Sequence, residues 1–383
     1  MSTRGAFDSS AAGLMADIAF VDCGLLGGAQ ARARAKAPAA ARAKARASAG
    51  RSGQATAAAG RRREVVVGGR RVKTIDVHAH CVIPEAYALL GLKVDDHRGP
   101  GIGEVGERRI REMDAQGIDM EALSINPAWY RAERDVAEKV IKIQNEALAG
   151  FCAKYPDRFV AFASIALQFP DLAVQQLEEG VKKLGLRGAA VGASVAGDEF
   201  SDPRFHPFWA KAEQLGVLIF IHPQSTPDLA NRLRGNGWLA NTIGNPLDTT
   251  IALSHLIFEG TFDRYPGLKV IAAHGGGFLP SYADRSDHAC LVGPKGCNAD
   301  VQLKKQPTEY LKQIYFDSLI FSPEAIRHLA AQVGASQIVL GSDYPYAWQL
   351  QPVDHIFACD SLSDEQKIAV LGGTAAKLFG IQG

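Results

Sequence analysis

The stretch Thr74-Ile75-Asp76-Val77-His78-Ala79-His80 decides how the rest of this 383-residue chain is interpreted. Its β-branched and apolar start predicts a buried strand. Side chains alternate along a strand, so His78 and His80 point to the same side and meet at the strand's end. Two imidazoles aimed at one point are a common beginning of a site for zinc or a similar ion. The pair alone is weak evidence, and its meaning depends on whether other strand ends supply further ligands.

The charge of the chain is divided between two unlike parts. Residues 1–73 hold 14 Lys and Arg against 4 Asp and Glu, a net charge of +10, whereas residues 74–383 hold 28 against 37, a net charge of −9. Between Ala29 and Arg63 the residues are mostly Ala, Arg, Gly, Lys and Ser, which cannot build a core. The sequence therefore predicts a disordered basic tail over 1–73 and one acidic domain over 74–383. The acidic domain argues against a nucleic-acid partner.

The beginning of the chain also bears on its compartment. The stretch from Gly13 to Ala31 is moderately apolar, ends in small residues and resembles a degenerate export signal, but Asp17 and Asp22 interrupt it. We therefore predict a cytoplasmic protein, with export as the alternative. No run of 18 apolar residues occurs, so no membrane span and no membrane partner are predicted.

Six cysteines are scattered along the chain without a C-x-x-C motif. This spacing predicts neither a disulfide framework nor a cysteine-type zinc site. The expectation is reduced thiols in the core and in loops.

After residue 73 the pattern changes to strands that alternate with amphipathic helices. Helical periodicity is found, for example, over 106–116, 135–153 and 171–184. Eight strands are predicted, at 74–79, 118–125, 159–165, 186–192, 217–222, 268–274, 314–318 and 337–342. Such β–α alternation predicts a parallel sheet, and eight units in 310 residues fit an α/β fold of the closed (β/α)8 TIM-barrel type. The long stretch 223–267 is predicted to be a lid or an active-site insertion.

In such a barrel the active site lies at the carboxyl ends of the strands. The fifth predicted strand ends at His222, the sixth ends at His274, and the eighth runs into Asp343. Three glycines follow His274 and would let the backbone turn tightly beside a ligand. With the two histidines of the first strand, four imidazoles and one carboxylate come to the same end of the barrel. This set disfavours a barrel kept only as a binding or scaffold protein.

Four motifs resemble one known family. They read Asp76-Val-His-Ala-His80, Arg109-Ile-Arg-Glu-Met-Asp114, His274-Gly-Gly-Gly277 and Gly341-Ser-Asp-Tyr-Pro345. On these motifs the chain over about 74–381 resembles the amidohydrolase-2 branch of the metal-dependent hydrolase superfamily, and most closely its aminocarboxymuconate semialdehyde decarboxylases. Relatives in this branch decarboxylate carboxyvanillate, resorcylate or other aromatic acids, and some are hydratases or hydrolases.

The resemblance implies one divalent metal ion, usually zinc and sometimes manganese. Carried over by motif, its ligands would be His78, His80, His222 and Asp343, and Asp343 would also orient the reacting water. The general acid and base would be His274, which would stay off the metal. The residue types agree with this assignment, because three imidazoles and one carboxylate suit zinc or a similar first-row ion.

The predicted activity is therefore the metal-dependent, non-oxidative decarboxylation of a small unsaturated or aromatic carboxylate. The alternative is a hydrolase or hydratase of the same superfamily that uses an activated water as the nucleophile. Release of carbon dioxide without consumption of water would distinguish the two.

The resemblance also implies a substrate-binding arginine and a homodimer. In the family, an arginine in the pattern that here reads Tyr282-Ala-Asp-Arg285 comes from the neighbouring subunit and binds the substrate carboxylate. A planar guanidinium pairs with a carboxylate through two parallel hydrogen bonds, so Arg285 suits that role. The family's second substrate arginine has no clear match in Lys93-Val-Asp-Asp-His-Arg-Gly-Pro100, where His97 or Arg98 are the candidates. We expect substrate choice to be decided in this segment.

Overall fold

The eight predicted strands are present in the computed structural model, which describes residues 62–94, 99, 101–224, 226–293, 297 and 300–382. A short hairpin precedes them. In chain order the strands of the described residues are β1 (Val66–Val67), β2 (Arg70–Arg71), β3 (Ile75–His80), β4 (Met120–Ser124), β5 (Phe159–Ala161), β6 (Gly188–Gly192), β7 (Leu218–His222), β8 (Lys269–Ala272), β9 (Ile314–Asp317) and β10 (Ile338–Val339).

Strands β3 to β10 close into a parallel barrel. β3, β4 and β5 pair in that order, and β6 to β10 pair in chain order, with every pair parallel. A parallel bridge between Ala163 and Ala189 joins the two sheets on one side. Parallel bridges from Asp76 to Leu340 and from Ala79 to Tyr344 join them on the other. The predicted (β/α)8 TIM barrel is thereby confirmed.

Helices follow the strands and surround the barrel. The three helices predicted from periodicity are α2, α3 and α4, and each differs from its predicted bounds by two residues or fewer. In chain order the helices are α1 (Pro84–Leu89), α2 (Glu107–Gln116), α3 (Arg134–Lys154), α4 (Pro170–Lys182), α5 (His206–Leu215), α6 (Asn245–Phe258), α7 (Thr261–Arg264), α8 (Leu279–Val292), α9 (Pro307–Tyr310), α10 (Pro323–Val333), α11 (Pro352–Phe357), α12 (Asp364–Ile368) and α13 (Thr374–Phe379). Within the described part of the chain, no helix is both long enough and apolar enough to cross a membrane.

Apolar side chains fill the barrel beneath the strand ends. They include Phe162 and Phe220, whose rings stack with centroids 5.7 Å apart, and Phe379 of α13, which packs against Phe162. The interior is therefore a packed core, and only its upper end is available for chemistry. Besides Phe162, which directly follows β5, the strand residues of this cluster are Ile75, Val77, Met120, Ala122, Val160, Ala190, Leu218, Phe220, Ile271 and Val339.

A bulge in β3 aims the two histidines into the barrel. The pairing of β3 with β4 shifts between Asp76 and Ala79, so one extra residue lies on β3. Ile75 belongs to the interior cluster, yet His78, of opposite parity, also reaches the interior and packs 5.1 Å from the Phe220 ring. Simple alternation predicts that His78 and His80 share a side, and the bulge determines that this side is the interior.

The structure corrects the boundary of the predicted tail. Residues 62–73 are ordered and include the hairpin β1–β2, whose turn residues Gly68 and Gly69 have φ values of 54° and 76°. Arg71 donates two hydrogen bonds, of 2.9 and 2.7 Å, to the buried carboxylate of Asp119. The composition of this segment is that of a disordered tail, yet the segment folds because its basic residues pair with acidic residues of the barrel. The rest of the predicted tail lies outside the described residues, and its disorder stays a prediction.

The structure also corrects the expectation for two of the cysteines. Cys290, near the end of α8, forms a disulfide with Cys297, and their Cα atoms lie 4.0 Å apart. The two cysteines are seven positions apart, and no cysteine motif marks this pair in the sequence. Cys81, Cys152 and Cys359 are free thiols, as expected.

Candidate active site

Four predicted residues meet at the upper end of the barrel. His78 and His80 end β3, His222 ends β7, and Asp343 follows β10. All four side chains are buried, and each offers one ligand atom, these atoms lying within 4.8 Å of one another. The structure thus places three imidazoles and one carboxylate around a single point, as the strand ends predict.

Hydrogen bonds to the Nδ1 atoms of two histidines leave their Nε2 atoms as the ring nitrogens that can bind a metal ion. His78 Nδ1 lies 2.5 Å from Asp317 Oδ2, and His80 Nδ1 lies 2.9 Å from Ser124 Oγ. A proton on each Nδ1 leaves each Nε2 with a lone pair. The two Nε2 atoms are 3.1 Å apart and lie 3.2 and 3.1 Å from Asp343 Oδ1. Acceptors that face each other in this way fit a bound cation, so these residues suit a divalent metal ion.

The electrostatics of the site favour a positive charge at its centre. Burial lowers the pKa of His78, but the carboxylates of Asp343 and Asp317 outweigh it and raise that pKa to about 10. Burial raises the pKa of Asp343, yet His78 and His80 together hold it far below its usual value. In the absence of metal, a second proton therefore occupies His78, at the Nε2 atom that faces Asp343, and a bound metal ion would displace it.

Metal binding should consequently strengthen as the pH rises. Below the His78 pKa, each bound ion releases one proton, so the apparent association constant should increase about tenfold per pH unit. Isothermal titration calorimetry with Mn²⁺ at several pH values below that pKa would measure this slope. Buffers with different ionisation enthalpies would count the released protons. A pH-independent affinity would contradict the assignment of His78 as a ligand.

Asp317, at the end of β9, is a site residue that the sequence analysis missed. Besides the ring of His78, it accepts hydrogen bonds from the backbone N–H of His274 at 2.8 Å and of Gly275 at 2.9 Å. It thereby fixes the tautomer of one ligand and the turn that carries His274. Because Asp317 lies at the end of a correctly predicted strand, the strand-end argument that found the four ligands could also have found Asp317.

His274 lies beside the group of four and outside it. Its ring centroid is 5.2 Å from that of His78 and 5.4 Å from that of His222. Its Nδ1 is buried and has no hydrogen-bond partner among the described residues. Burial, followed by the charge of His78, lowers the pKa of His274 to about 4. At neutral pH this ring is therefore neutral and can accept a proton.

The backbone is strained where it presents His274 and Asp343. Their φ values are 54° and 61°, in the left-handed region that residues with a Cβ avoid. Each such residue costs on the order of 1–3 kcal/mol and persists where the surroundings hold it in place. Gly277, with a φ of 65°, ends the turn after His274, and a Cβ there would lie 2.0 Å from the carbonyl oxygen of Pro246. This turn therefore requires glycine.

Arg285 is not part of the buried group. It is exposed on α8, the helix that begins directly after the glycine turn. His97 and Arg98, the other candidates for binding the substrate carboxylate, lie outside the described residues.

Comparison with known proteins agrees with this geometry. The family described as amidohydrolase matches residues 75–381. The chain is 31% identical over 276 residues to the 2-amino-3-carboxymuconate-6-semialdehyde decarboxylase of Dictyostelium discoideum, covering 71% of this chain and 76% of that protein. It is 30% identical over 301 residues to the gamma-resorcylate decarboxylase of a Rhizobium species, covering 73% and 88%. The structure of a dihydroxybenzoic acid decarboxylase from Polaromonas sp. JS666, with bound manganese and the inhibitor 2-nitroresorcinol, matches with a TM-score of 0.69 and 28% identity, covering 81% and 97%.

Proposed function

The chain belongs to the amidohydrolase family, and from this premise we propose that it is a metal-dependent, non-oxidative decarboxylase of a small unsaturated or aromatic carboxylate. The observation that carries the proposal is the convergence of three imidazoles and one carboxylate, with a neutral fourth imidazole beside them. The similar proteins described above, from three organisms, are decarboxylases, which favours decarboxylation over hydrolysis on the same site.

The residues that would hold the metal ion are His78, His80, His222 and Asp343. When bound, a divalent ion supplies positive charge that attracts an anionic substrate and stabilises negative charge on oxygen. Three imidazoles and a carboxylate suit zinc, while the Polaromonas structure contains manganese. We propose zinc, with manganese as the alternative, and metal analysis of the purified protein by mass spectrometry decides between them.

His274 is placed to move the proton that decarboxylation requires. Because its ring is neutral at neutral pH, it first accepts a proton from water or from a substrate hydroxyl. It then donates a proton to the carbon atom that carries the carboxylate, which leaves the adjoining unsaturated system short of electrons. The bond to the carboxylate breaks, its electron pair fills that deficit, and carbon dioxide leaves. The product carries hydrogen where the carboxylate was, and no oxidant is needed.

The test is a screen of aromatic and muconate-type carboxylates with the purified protein. Carbon dioxide release would be measured together with the mass of the organic product, and metal content would be measured on the same sample. A product lighter than its substrate by one carbon dioxide supports the proposal. A hydrated or hydrolysed product formed without carbon dioxide would instead establish the alternative activity.

We further propose that the working enzyme is a homodimer in which Arg285 crosses to the partner's site. α8 carries exposed apolar side chains, with Tyr282 63%, Leu291 77% and Val292 66% exposed. A second copy would cover such a surface. The same helix would then place the exposed guanidinium of Arg285 at a substrate carboxylate of the partner subunit.

Mixing two inactive variants should restore activity if the site is shared. Arg285→Ala removes the arginine but keeps the metal ligands. Asp343→Ala removes one metal ligand but keeps the arginine. After the two variants are unfolded and refolded together, half of the dimers should contain one chain of each variant. Each mixed dimer has one intact site out of two, so roughly a quarter of the wild-type activity should return. Each variant refolded alone is the control. Absence of restored activity in confirmed mixed dimers would contradict a shared site.

The cellular compartment of the protein bears on its disulfide. We propose the cytoplasm, with export as the alternative that the disulfide between Cys290 and Cys297 would favour. Cell fractionation with N-terminal sequencing of the recovered protein tests it.

A further inference from the structure

A buried arginine behind the metal ligands has no part in the proposed chemistry. Arg109, on α2, belongs to one of the four sequence motifs, and its side chain is 1% exposed. Its Nε donates a hydrogen bond of 2.6 Å to Glu121 Oε2 on β4. Its Nη1 donates one of 2.7 Å to the backbone carbonyl of His80 on β3. The guanidinium also lies against the ring of Tyr344, 4.4 Å from its centroid.

These contacts join two of the three segments that carry the proposed metal ligands, β3 and the residues after β10. Tyr344 directly follows Asp343, whose backbone is held in the left-handed region. The carbonyl of Tyr344 accepts a hydrogen bond of 2.6 Å from the backbone N–H of His80. The peptide groups of His80 are therefore held on one side by Tyr344 and on the other by Arg109, which itself contacts Tyr344.

We propose that Arg109 is a positioning residue that sets the placement of His80 relative to Asp343 and thereby tunes the metal site. This inference rests on the proposed function, because it assumes that these residues bind a divalent ion. Only a guanidinium can make the observed set of contacts at once. It offers two differently directed N–H groups to Glu121 and to the His80 carbonyl, and it offers a flat face to the Tyr344 ring.

Arg109→Lys is the informative variant. Lysine keeps the positive charge beside the buried Glu121, whereas alanine would leave that carboxylate without a counter-charge and would endanger folding. An ammonium group cannot both donate to Glu121 and the His80 carbonyl in these two directions and lie flat against the Tyr344 ring. The matched control is Arg158→Lys. Arg158 also binds backbone carbonyls, those of Asp119 at 2.9 Å and Ile118 at 3.2 Å, but these residues lie directly before β4, away from the metal ligands at the strand ends.

The experiment compares the wild type, Arg109→Lys and Arg158→Lys in three measurements. Equilibrium dialysis against Mn²⁺ gives the dissociation constant, the visible spectrum of the Co²⁺-loaded protein reports the coordination geometry, and thermal melting of the metal-free protein reports folding. Arg109→Lys should weaken Mn²⁺ binding about 10- to 100-fold and change the Co²⁺ spectrum. With substrate it should lower kcat more than it changes KM. Arg158→Lys should lower the melting temperature only.

The outcomes separate this inference from the proposed function. If Arg109→Lys lowers the melting temperature but binds Mn²⁺ like the wild type with the same Co²⁺ spectrum, Arg109 is structural and the inference is wrong. If the wild type itself binds neither ion, the proposed metal site fails, and the inference fails with it. If Arg109→Lys does not fold, Tyr344→Leu replaces it, because it removes the ring that contacts Arg109 and should change affinity and spectrum in the same direction. Tyr344→Leu with wild-type affinity and spectrum would overturn the inference.

Discussion

His274→Ala should abolish nearly all turnover while the protein keeps its metal. The ring of His274 lies beside the four proposed ligands, is neutral at neutral pH, and carries the proposed transfer of a proton to the substrate carbon. Loss of a general acid and base lowers rates about 100- to 10,000-fold. The expected result is a fall in kcat of that size, with metal content unchanged by mass spectrometry.

The control for this variant is His255→Ala. His255 lies on α6, is partly exposed, and has its Nδ1 3.9 Å from a carboxylate oxygen of Glu259. Its loss should leave both turnover and metal content as in the wild type. If His274→Ala instead emerges without metal, His274 is itself a ligand, and another group must move the proton. If it retains substantial turnover, the acid and base role assigned here is wrong.

Asp343→Ala should lose both metal and activity. Asp343 is the only anion among the four ligands, and its Oδ1 faces the Nε2 atoms of both His78 and His80. Changing a group behind the ligands costs about 10- to 100-fold in metal affinity, and removal of a ligand should cost more than that. Equilibrium dialysis should show weak or no binding at ion concentrations that saturate the wild type.

Asp354→Ala is the matched control for the loss of a carboxylate. Asp354 is partly exposed and pairs with Arg63, so its removal should leave the metal content unchanged. Thermal melting of metal-free samples would show whether Asp343→Ala still folds. A folded Asp343→Ala protein that binds metal as tightly as the wild type would remove Asp343 from the ligand set.

The barrel and its ligands could be predicted because both depend on local pattern. Each of the eight strands is an apolar run bounded by turns, and a parallel barrel brings all strand ends to one side. His222 and Asp343 therefore lie beside His78 and His80 although long stretches of chain separate them. Asp317 obeys the same rule, but it belongs to none of the family motifs and no histidine stands beside it in the sequence.

Other features depend on contacts that no local pattern records. Residues 62–73 have the composition of a disordered segment, and they fold because Arg71 pairs with the buried Asp119. The disulfide joins Cys290 to Cys297, and no cysteine motif in the sequence marks this pair. The bulge in β3 depends on how β3 pairs with β4. The alternation of side chains along β3 alone therefore cannot predict it. The partners of Arg109 likewise come from three separate parts of the chain.

The bridges that join β3 to the segment after β10 have a consequence for biosynthesis. They connect the first strand of the barrel to the segment after the last, and the proposed ligands lie on β3, on β7 and on this segment. A nascent chain that has not yet been synthesised as far as Asp343 contains only three of the four proposed ligands, and its barrel is not yet closed. A complete metal site would therefore form only late in synthesis, and a bound ion would connect the two ends of the barrel. Metal-free protein should accordingly begin to unfold where β3 pairs with the segment after β10.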